Sequence, residues 1–184
     1  REYRAWDVLS KEADAEGNYR KIMHYSASGK LRSFFLPADE YRLIATVGAV
    51  KRGVPLTIEA GAAARPVVNL QGGVVLPFVR LKEGVDHSTA YRYIDIYHVE
   101  PDAEGKLVRV AGRSASGDAF RFVIPSGNYK IVARLDYSSV EQEFEMTDGA
   151  VVKPDLVANA GVVFPTVLTQ AGGEPSKAYR YVYI

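Results

Sequence analysis

The segment Ile-Pro-Ser-Gly-Asn-Tyr-Lys-Ile-Val-Ala-Arg-Leu, at residues 124–135, decides the predicted fold class of this chain. Apolar side chains occupy every second position of its latter part, at Tyr129, Ile131, Ala133 and Leu135. A two-residue period is typical of a β-strand with one buried face, because successive side chains point to opposite sides. The Pro-Ser-Gly sequence in front of it is typical of a turn. The segment therefore predicts a tight turn that leads into a half-buried strand.

The same alternation continues on both sides of this segment. Val140, Phe144 and Met146 alternate with three glutamates, which places the glutamates on the solvent face and leaves Gln142 as the one polar residue of the inner face. Turn-forming residues separate the runs, and no stretch combines a helical period with helix caps. One period of the chain thus predicts seven strands, near residues 73–81, 91–99, 106–111, 119–124, 129–136, 140–147 and 150–157.

The chain repeats itself, because a shift from Tyr3 to Tyr91, or 91 − 3 = 88 residues, aligns it with itself without a gap. Of the 75 positions in residues 3–77, 23 are identical to their counterparts in residues 91–165. The identities are densest in three blocks, Glu-x-Asp-Ala-Glu-Gly at 12–17 and 100–105, Ser-Ala-Ser-Gly at 26–29 and 114–117, and Gly-Val-Val-x-Pro at 73–77 and 161–165. A third copy begins near residue 179. We therefore expect one β unit, copied head to tail.

Seven short antiparallel strands with frequent turns are typical of an immunoglobulin-like sandwich. In this frame residues 73–160 are one complete domain, residues 1–72 lack a first strand, and residues 161–184 supply the first two strands of a third domain. Because Arg1 is not a natural start, we expect the N-terminus of the protein to lie upstream. Two strands cannot bury a core alone. The final segment therefore belongs to a chain that continues, or it pairs with an incomplete neighbour by strand addition.

The turn before the deciding strand also carries a family resemblance. Ile124-Pro125-Ser126-Gly127-Asn128-Tyr129 and its counterpart Leu36-Pro37-Ala38-Asp39-Glu40-Tyr41 resemble the Leu-Pro-x-Gly-x-Tyr step of carboxypeptidase regulatory-like and collagen-adhesin B-type domains. Both families are prealbumin-like sandwiches. The resemblance implies a stiff turn, a residue in left-handed geometry at Gly127 or Asp39, and an inward-packing tyrosine. It also implies a non-catalytic module of an exported bacterial protein.

Composition excludes several function classes. Lys+Arg number 23 and Asp+Glu 22, so the chain lacks the concentrated basic surface that nucleic-acid binding needs. It contains no cysteine, which excludes disulfides, thiolate metal sites and a cysteine nucleophile. No apolar run is long enough to span a bilayer. The absence of cysteine favours export to the periplasm, the cell surface or the extracellular space. No nucleotide-binding, zinc or catalytic-serine motif is present, so no enzyme is predicted.

Two acidic loops are the best candidates for a metal site. Three carboxylates at alternate positions precede a glycine in each copy, and calcium prefers such oxygen ligands around a sharp turn. The helical calcium loop needs a further glutamate eleven residues on, where Met23 and Ala111 stand instead. A solvated acidic hairpin explains the same pattern. The candidate calcium ligands are Glu12, Asp14 and Glu16 in the first copy and Glu100, Asp102 and Glu104 in the second.

Aromatic residues offer a second candidate site. Tyr91, Tyr93 and Tyr97 are predicted to share one strand face, opposite Arg92 and Ile94. An exposed aromatic stripe stacks on sugar rings, whereas a buried one belongs to a core or a cross-strand pair. Trp6 is expected next to the equivalent face of the first copy. No histidine has a histidine counterpart in the other copy, and structural roles are expected for all three, namely His24, His87 and His98.

Sequence alone thus predicts an all-β chain of tandem seven-stranded sandwiches with no catalytic residues. The expected function is a structural or adhesive spacer whose partners are neighbouring repeats or other protein chains. Two alternatives stay open, a glycan- or ligand-binding module and an accessory domain of an exported enzyme. Short junctions, at residues 69–72 and 157–160, predict a semi-rigid rod.

Overall fold

A computed structural model describes residues 4–26, 33–117 and 120–175, and in these ranges the chain contains β-strands and no helix. It therefore has no helix there that could cross a membrane. The all-β fold class predicted from the sequence is confirmed. The strands are β1 Arg4–Ala13, β2 Tyr19–Ser26, β3 Asp39–Val47, β4 Val50–Ile58, β5 Gly72–Val75, β6 Phe78–Arg80, β7 Arg92–Pro101, β8 Leu107–Ala115, β9 Phe122–Pro125, β10 Gly127–Leu135, β11 Ser138–Met146, β12 Val151–Val152 and β13 Asp155–Val157.

Two four-stranded antiparallel sheets have the same strand order. The first is β2-β1-β3-β4 and the second is β8-β7-β10-β11. Adding 88 to the bounds of β1, β3 and β4 gives the bounds of β7, β10 and β11. Even the irregularities agree, since the β1–β2 register shifts between Val8 and Leu9 and the β7–β8 register shifts between Ile96 and Tyr97. We call residues 4–71 the first unit and residues 72–160 the second unit.

The alternation in β10 separates a buried from a solvent-facing side. Tyr129, Ile131 and Ala133 are each 0% exposed, as predicted. The glutamates of β11 lie on its exposed face, and Gln142 is exposed opposite Ile131. β10 pairs with β7 on one side and with β11 on the other, which makes it a central strand of its sheet.

The second unit is β-sandwich-like, because a second layer covers the inner face of its four-stranded sheet. That layer contains β12-β5-β9 and the short pair β13-β6. Val75 of β5, Val79 of β6 and Leu156 of β13 pack in one cluster with Ile94 and Ile131 of the large sheet. Thirteen buried residues form this cluster, so the second unit has a complete apolar core.

Two predicted strands are each broken by a proline. Residues 73–81 form β5 and β6 with Pro77 between them, and residues 150–157 form β12 and β13 with Pro154 between them. Proline has no N–H to donate to a ladder. The two breaks coincide, because the Phe78 N–H donates to the Pro154 carbonyl at 2.8 Å. The prediction of single continuous strands at residues 73–81 and 150–157 is therefore wrong.

The first unit has the four-stranded sheet but no second layer among its described residues. No strand lies between residues 59 and 71, so the strand predicted at residues 150–157 has no counterpart in this part of the first unit. Counted over the described residues, its core cluster has four buried members, Val8, Tyr41, Leu43 and Leu56, against thirteen in the second unit. The predicted division at 72 and 73 and at 160 and 161 stays a prediction, although β5 begins at Gly72.

The turns also recur at the 88-residue interval. Left-handed backbone angles occur in pairs, which are Gly17 and Gly105, Gly48 and Asp136, Gly61 and Gly149, Gln71 and Asn159, and Gly84 and Gly172. An isolated bridge joins Arg80 to His87, and another joins Leu168 to Pro175. Gly127 has a φ of 150°, which favours glycine, whereas Asp39 at the equivalent place has no positive φ. The expected left-handed geometry at Asp39 is therefore wrong.

Candidate functional site

The acidic loops are tight hairpins in which one aspartate organises the turn. Asp14 Oδ1 accepts hydrogen bonds from the N–H groups of Glu16 at 3.2 Å and Asn18 at 2.7 Å. Asp102 Oδ1 accepts from Glu104 at 3.0 Å and Lys106 at 2.8 Å. Backbone bonds across both loops match as well. The hairpin interpretation thus accounts for the aspartate in each loop.

The same geometry does not assemble a metal site by itself. Within the described ranges no three His, Asp or Glu side chains converge as metal ligands. Each aspartate already uses one carboxylate oxygen on backbone amides. The glutamates are exposed. Calcium binding therefore stays an untested alternative to the hairpin, and its candidate ligands are Glu12, Asp14, Glu16, Glu100, Asp102 and Glu104.

Tyr91 and Tyr93 lie exposed at one end of β7. They are 53% and 49% exposed, and their rings meet edge to face at a centroid distance of 5.4 Å. Hydrogen bonds from the side chains of Ser114 and Tyr93 lower the pKa of Tyr91, and the bond to Tyr91 raises the pKa of Tyr93. Arg92 and Ile94 are buried on the other side of the strand. The predicted division of the strand faces is thus confirmed for these four residues.

Trp6, His87 and His98 pack against other side chains of the two units. Trp6 is half-buried and packs against the core of the first unit, so it lies on the inner face with Val8. His87 stacks on Phe78 at 4.3 Å, with Nε2 3.9 Å from Asp155. His98 packs against the ring of Tyr129 at 5.3 Å.

Sequence analysis missed a buried aspartate in the outer face of each large sheet. Asp7 and Asp95 occupy equivalent positions and are 8% and 5% exposed. Asp7 Oδ1 lies 3.0 Å from Lys21 Nζ and 2.7 Å from His24 Nδ1. Burial opposes ionisation of Asp7, but the hydrogen bonds from His24 and Lys21 outweigh it and lower its pKa. The first sheet thus carries one buried carboxylate that contacts a lysine and a histidine.

The second unit holds its aspartate with arginines instead. Arg109, the counterpart of Lys21, approaches Asp95 Oδ1 through Nη2 at 2.6 Å, and Arg134 contacts Oδ2. Gly112 stands where the first unit has His24, and a Cβ there would collide with the Arg109 guanidinium. A signal existed in the sequence, because one aspartate recurs in both copies within an otherwise apolar strand. Such a residue needs a partner when it is buried.

The junction between the two units is a further candidate region. The hairpin tip that joins β3 to β4 lies against β9, where the Ala49 N–H donates to the Val123 carbonyl at 2.9 Å. Ala49 packs against the second unit's core, and Val123 is only 7% exposed. A Cβ on Gly48 would lie 2.7 Å from the Val123 carbonyl oxygen. Glycine thus permits the close approach.

A second attachment lies beside the first, where the chain passes from one unit to the next. Gln71 has a φ of 49°, and its N–H donates to Asn69 Oδ1 at 3.1 Å. Its carbonyl accepts from the Ser126 N–H at 3.1 Å and from the Ser126 hydroxyl at 3.2 Å. Val50 is fully buried there against Gly72. The connection is therefore a fixed turn with its own hydrogen bonds.

Comparison with known protein families, curated proteins and solved structures finds no match for this chain.

Proposed function

We propose that the chain is a non-catalytic structural or adhesive spacer of an exported or cell-surface protein, built from tandem immunoglobulin-like or prealbumin-like units that join head to tail and to other chains. The observation that carries the proposal is the junction, where Ala49 bonds to Val123 and Gln71 bonds to Ser126. A spacer needs such contacts, because a unit attached at two places transmits force and orientation better than one on a free linker.

The repeated geometry supports an array. Asn159 has a φ of 48°, and Gln71 at the equivalent place has 49°. The turn that leads out of the second unit thus has the same hand as the one that leads into it. Tyr129 donates to the Pro125 carbonyl and Tyr41 to the Pro37 carbonyl, each at 3.0 Å. A tyrosine bonded to the backbone upstream is a feature of immunoglobulin-like sandwiches, which supports the finer assignment.

Distance measurements between spin labels on the two units test whether the units form a semi-rigid rod. The cysteine-free sequence allows single labels at Arg20→Cys in β2 and Glu143→Cys in β11, both exposed. We expect one narrow distance distribution. Gly48→Asp introduces a Cβ against the Val123 carbonyl and is expected to broaden it.

The second unit supplies the matched control for this variant. Asp136, at the place of Gly48, has a φ of 47°, so aspartate tolerates the turn and the expected effect of Gly48→Asp comes from the contact. Asp136→Gly is expected to leave the distribution unchanged. A broad distribution in the unmodified chain would refute the semi-rigid spacer.

A glycan-binding surface is the second candidate, favoured by the exposure of Tyr91 and Tyr93. Two exposed rings on one strand offer an apolar platform for a sugar ring. A glycan array followed by titration of any hit tests it. We expect Tyr93→Ala to abolish such binding, while Tyr137→Ala, which removes an exposed ring elsewhere, leaves it intact. An array without hits removes this candidate.

A further inference from the structure

The strand β11 leaves one edge of the second unit's large sheet unpaired. It stands last in the order β8-β7-β10-β11, and no strand of the described residues pairs with its second edge. The strand has 9 residues, and its register with β10 contains no irregularity. A regular strand with a free edge presents unused N–H and C=O groups to a further strand. An extended polypeptide can therefore pair with β11.

A proline in the other copy shows which backbone groups face this free edge. Pro55 of β4 lies opposite Arg42, and the equivalent pair in the second unit is Glu143 opposite Lys130. Because proline has no N–H, an edge strand tolerates it where the N–H would point away from the neighbouring strand. The N–H of Glu143 therefore points away from β10, toward the free edge.

Glutamates occupy the outward-facing positions of this edge. Glu141, Glu143 and Glu145 are exposed at every second position, so their backbone groups share one orientation. Lys130 lies 3.3 Å from Glu141, whereas the described residues hold no ion-pair partner for the other two. Each residue of this row that offers its backbone to a further strand thus also carries a carboxylate.

The second unit also lacks an ammonium group that the first unit has at this end of its sheet. Lys11 Nζ of the first unit lies 2.5 Å from Glu40 Oε2, beside a shallow cavity. The counterparts of this pair are Val99 and Asn128, which carry no charge. They line the equivalent cavity of about 340 Å³, together with Glu143, Phe144 and Glu145. The first unit supplies its own cation, and the second leaves two carboxylates open to a cation from outside.

We infer that β11 binds, by antiparallel strand addition, an extended segment of another polypeptide in which lysine or arginine alternates with apolar residues. The inference rests on the proposed adhesive function and names the chemistry of its partner. Residues that exchange both N–H···O bonds in an antiparallel ladder stand directly opposite each other, with side chains on the same face. A basic residue of the partner thus lies opposite each glutamate, where an opposite charge is stabilising.

The other face of β11 fits the apolar positions of such a segment. Val140 and Phe144 are half-buried and pack against the core of the second unit. An added strand carries its alternate side chains on this face, next to these two residues. Gln142 lies between them and is exposed, so the middle position of the partner accepts a polar residue.

The same charges argue against other occupants of the edge. Two copies of β11 would place glutamates directly opposite glutamates, which is destabilising. The edge of β4 in the first unit has Gly53, Pro55 and Thr57 at the equivalent positions, so it offers no carboxylates and one N–H fewer. The expected partner is therefore basic, and it is expected to select β11 over β4.

An NMR titration of the full, uniformly ¹⁵N-labelled chain tests the inference with a defined probe. The probe is the peptide Lys-Val-Lys-Thr-Lys-Val-Lys, which sets lysines opposite the glutamates and threonine opposite Gln142. The control peptide, Lys-Lys-Lys-Lys-Val-Thr-Val, has the same composition and charge. We expect amide shifts concentrated in β11, and about tenfold weaker binding of the control peptide. Equal binding of the two peptides, shifts confined to other strands, or no shifts would overturn the inference.

Variants of β11 separate the backbone contribution from the charge contribution. Glu143→Pro removes one outward N–H while following the precedent of Pro55, and we expect it to weaken binding of the alternating peptide by roughly 100-fold. Unchanged amide shifts in β10 verify its fold. Glu143→Gln combined with Glu145→Gln keeps the backbone and is expected to weaken binding about fivefold and to reduce its salt dependence.

The matched control changes two exposed glutamates elsewhere. Glu59→Gln combined with Glu83→Gln removes the same charge and is expected to leave binding unchanged. Binding that Glu143→Pro leaves intact would overturn strand addition. If the proline disturbs β10, the glutamine pair decides, because equal effects of the two glutamine pairs would also overturn the inference.

The outcomes distinguish this inference from the proposed function. A narrow distance distribution between the two units without peptide binding leaves the spacer standing and removes the docking edge. Peptide binding at β11 together with a broad distribution supports the docking edge and refutes the semi-rigid spacer.

Discussion

The two units contain the same four-stranded sheet, but only one of them is covered. In the second unit the inner face packs against β5, β6, β9, β12 and β13, and thirteen residues are buried in its core. In the first unit the same face packs against irregular chain, and the core cluster among its described residues has four buried members. Among the described residues, the large sheets of the two units therefore agree in strand bounds and order although their second layers differ.

The second layer, in contrast, depends on its middle strand. Val151 and Val152 become β12 by pairing with Val74 and Val75 of β5. Their counterparts in the first unit are Ala63 and Ala64, which have no such neighbour and are not in a strand. Alanine is also a poorer strand former than valine. The comparison indicates that the large sheet depends on its own sequence pattern. The second layer depends in addition on pairing with a neighbouring strand, as β12 does with β5.

The largest difference is expected for equivalent core truncations. Ile131→Ala and Leu43→Ala change the same position of the repeat, at 0% and 3% exposure. Ile131→Ala leaves a cavity between two layers and is expected to lower the free energy of unfolding of the second unit by about 3–4 kcal/mol. Leu43→Ala opens on a thinly covered face that relaxes, so about 2 kcal/mol is expected in the first unit.

Amide hydrogen exchange resolves the two effects, because protection in β10 and in β3 reports on each unit separately. Arg20→Ala, on an exposed strand position, serves as the control and is expected to change neither. Equal losses at the two core positions would show that the first unit is as well covered as the second.

The two units share a hydrogen bond from a tyrosine hydroxyl to a proline carbonyl, and removing it tests whether both units depend on it equally. Tyr129 and Tyr41 each donate at 3.0 Å to a proline carbonyl four residues upstream. Removing the hydroxyl with Tyr129→Phe or Tyr41→Phe is expected to cost about 1–1.5 kcal/mol in either unit, since a carbonyl loses its donor. Burial raises the pKa of Tyr129. Chemical denaturation measures the loss of unfolding free energy. The control is Tyr137→Phe, which changes a ring that is 98% exposed.

Much of the fold could be predicted from the sequence, because alternation and the 88-residue repeat are local signals. β10 and its buried tyrosine follow directly from residues 124–135. The breaks at Pro77 and Pro154 could not be predicted in detail, because a proline interrupts a strand only where its missing N–H faces a partner. The missing counterpart of β12 in the first unit could not be predicted either, because β12 pairs with β5 and no local pattern reveals such a neighbour.

The candidate sites were predicted less well than the fold. The acidic loops drew attention because their carboxylates are close in sequence. Asp7 and Asp95 did not, because their partners come from other strands, as with Arg134 on β10. The junction at Gly48 was missed for the same reason, since its contact with Val123 joins residues far apart in the chain.

Acid titration tests the buried aspartate of the first unit. The pKa of Asp7 is lowered in the folded state, so its contribution to stability is present above its unfolded value and is lost as pH falls through the folded value. We expect Asp7→Asn to cost about 1 kcal/mol near pH 7, given half-exposed partners, and to flatten the decline below about pH 4. Asp86→Asn, an exposed control, is expected to leave the profile unchanged.

Substitutions in the acidic hairpins are expected to have the smallest effect on stability. The effect is expected to be the same in both units. Asp102→Ala and Asp14→Ala each remove an acceptor of two backbone N–H groups, so about 0.5–1 kcal/mol is expected from either. If the loops are hairpins alone, millimolar calcium and a chelator leave the melting temperature of the parent chain unchanged. If they bind calcium, calcium raises it, and the rise disappears in Asp102→Ala and Asp14→Ala combined. Because the turn already uses Oδ1 of each aspartate, we expect the first outcome.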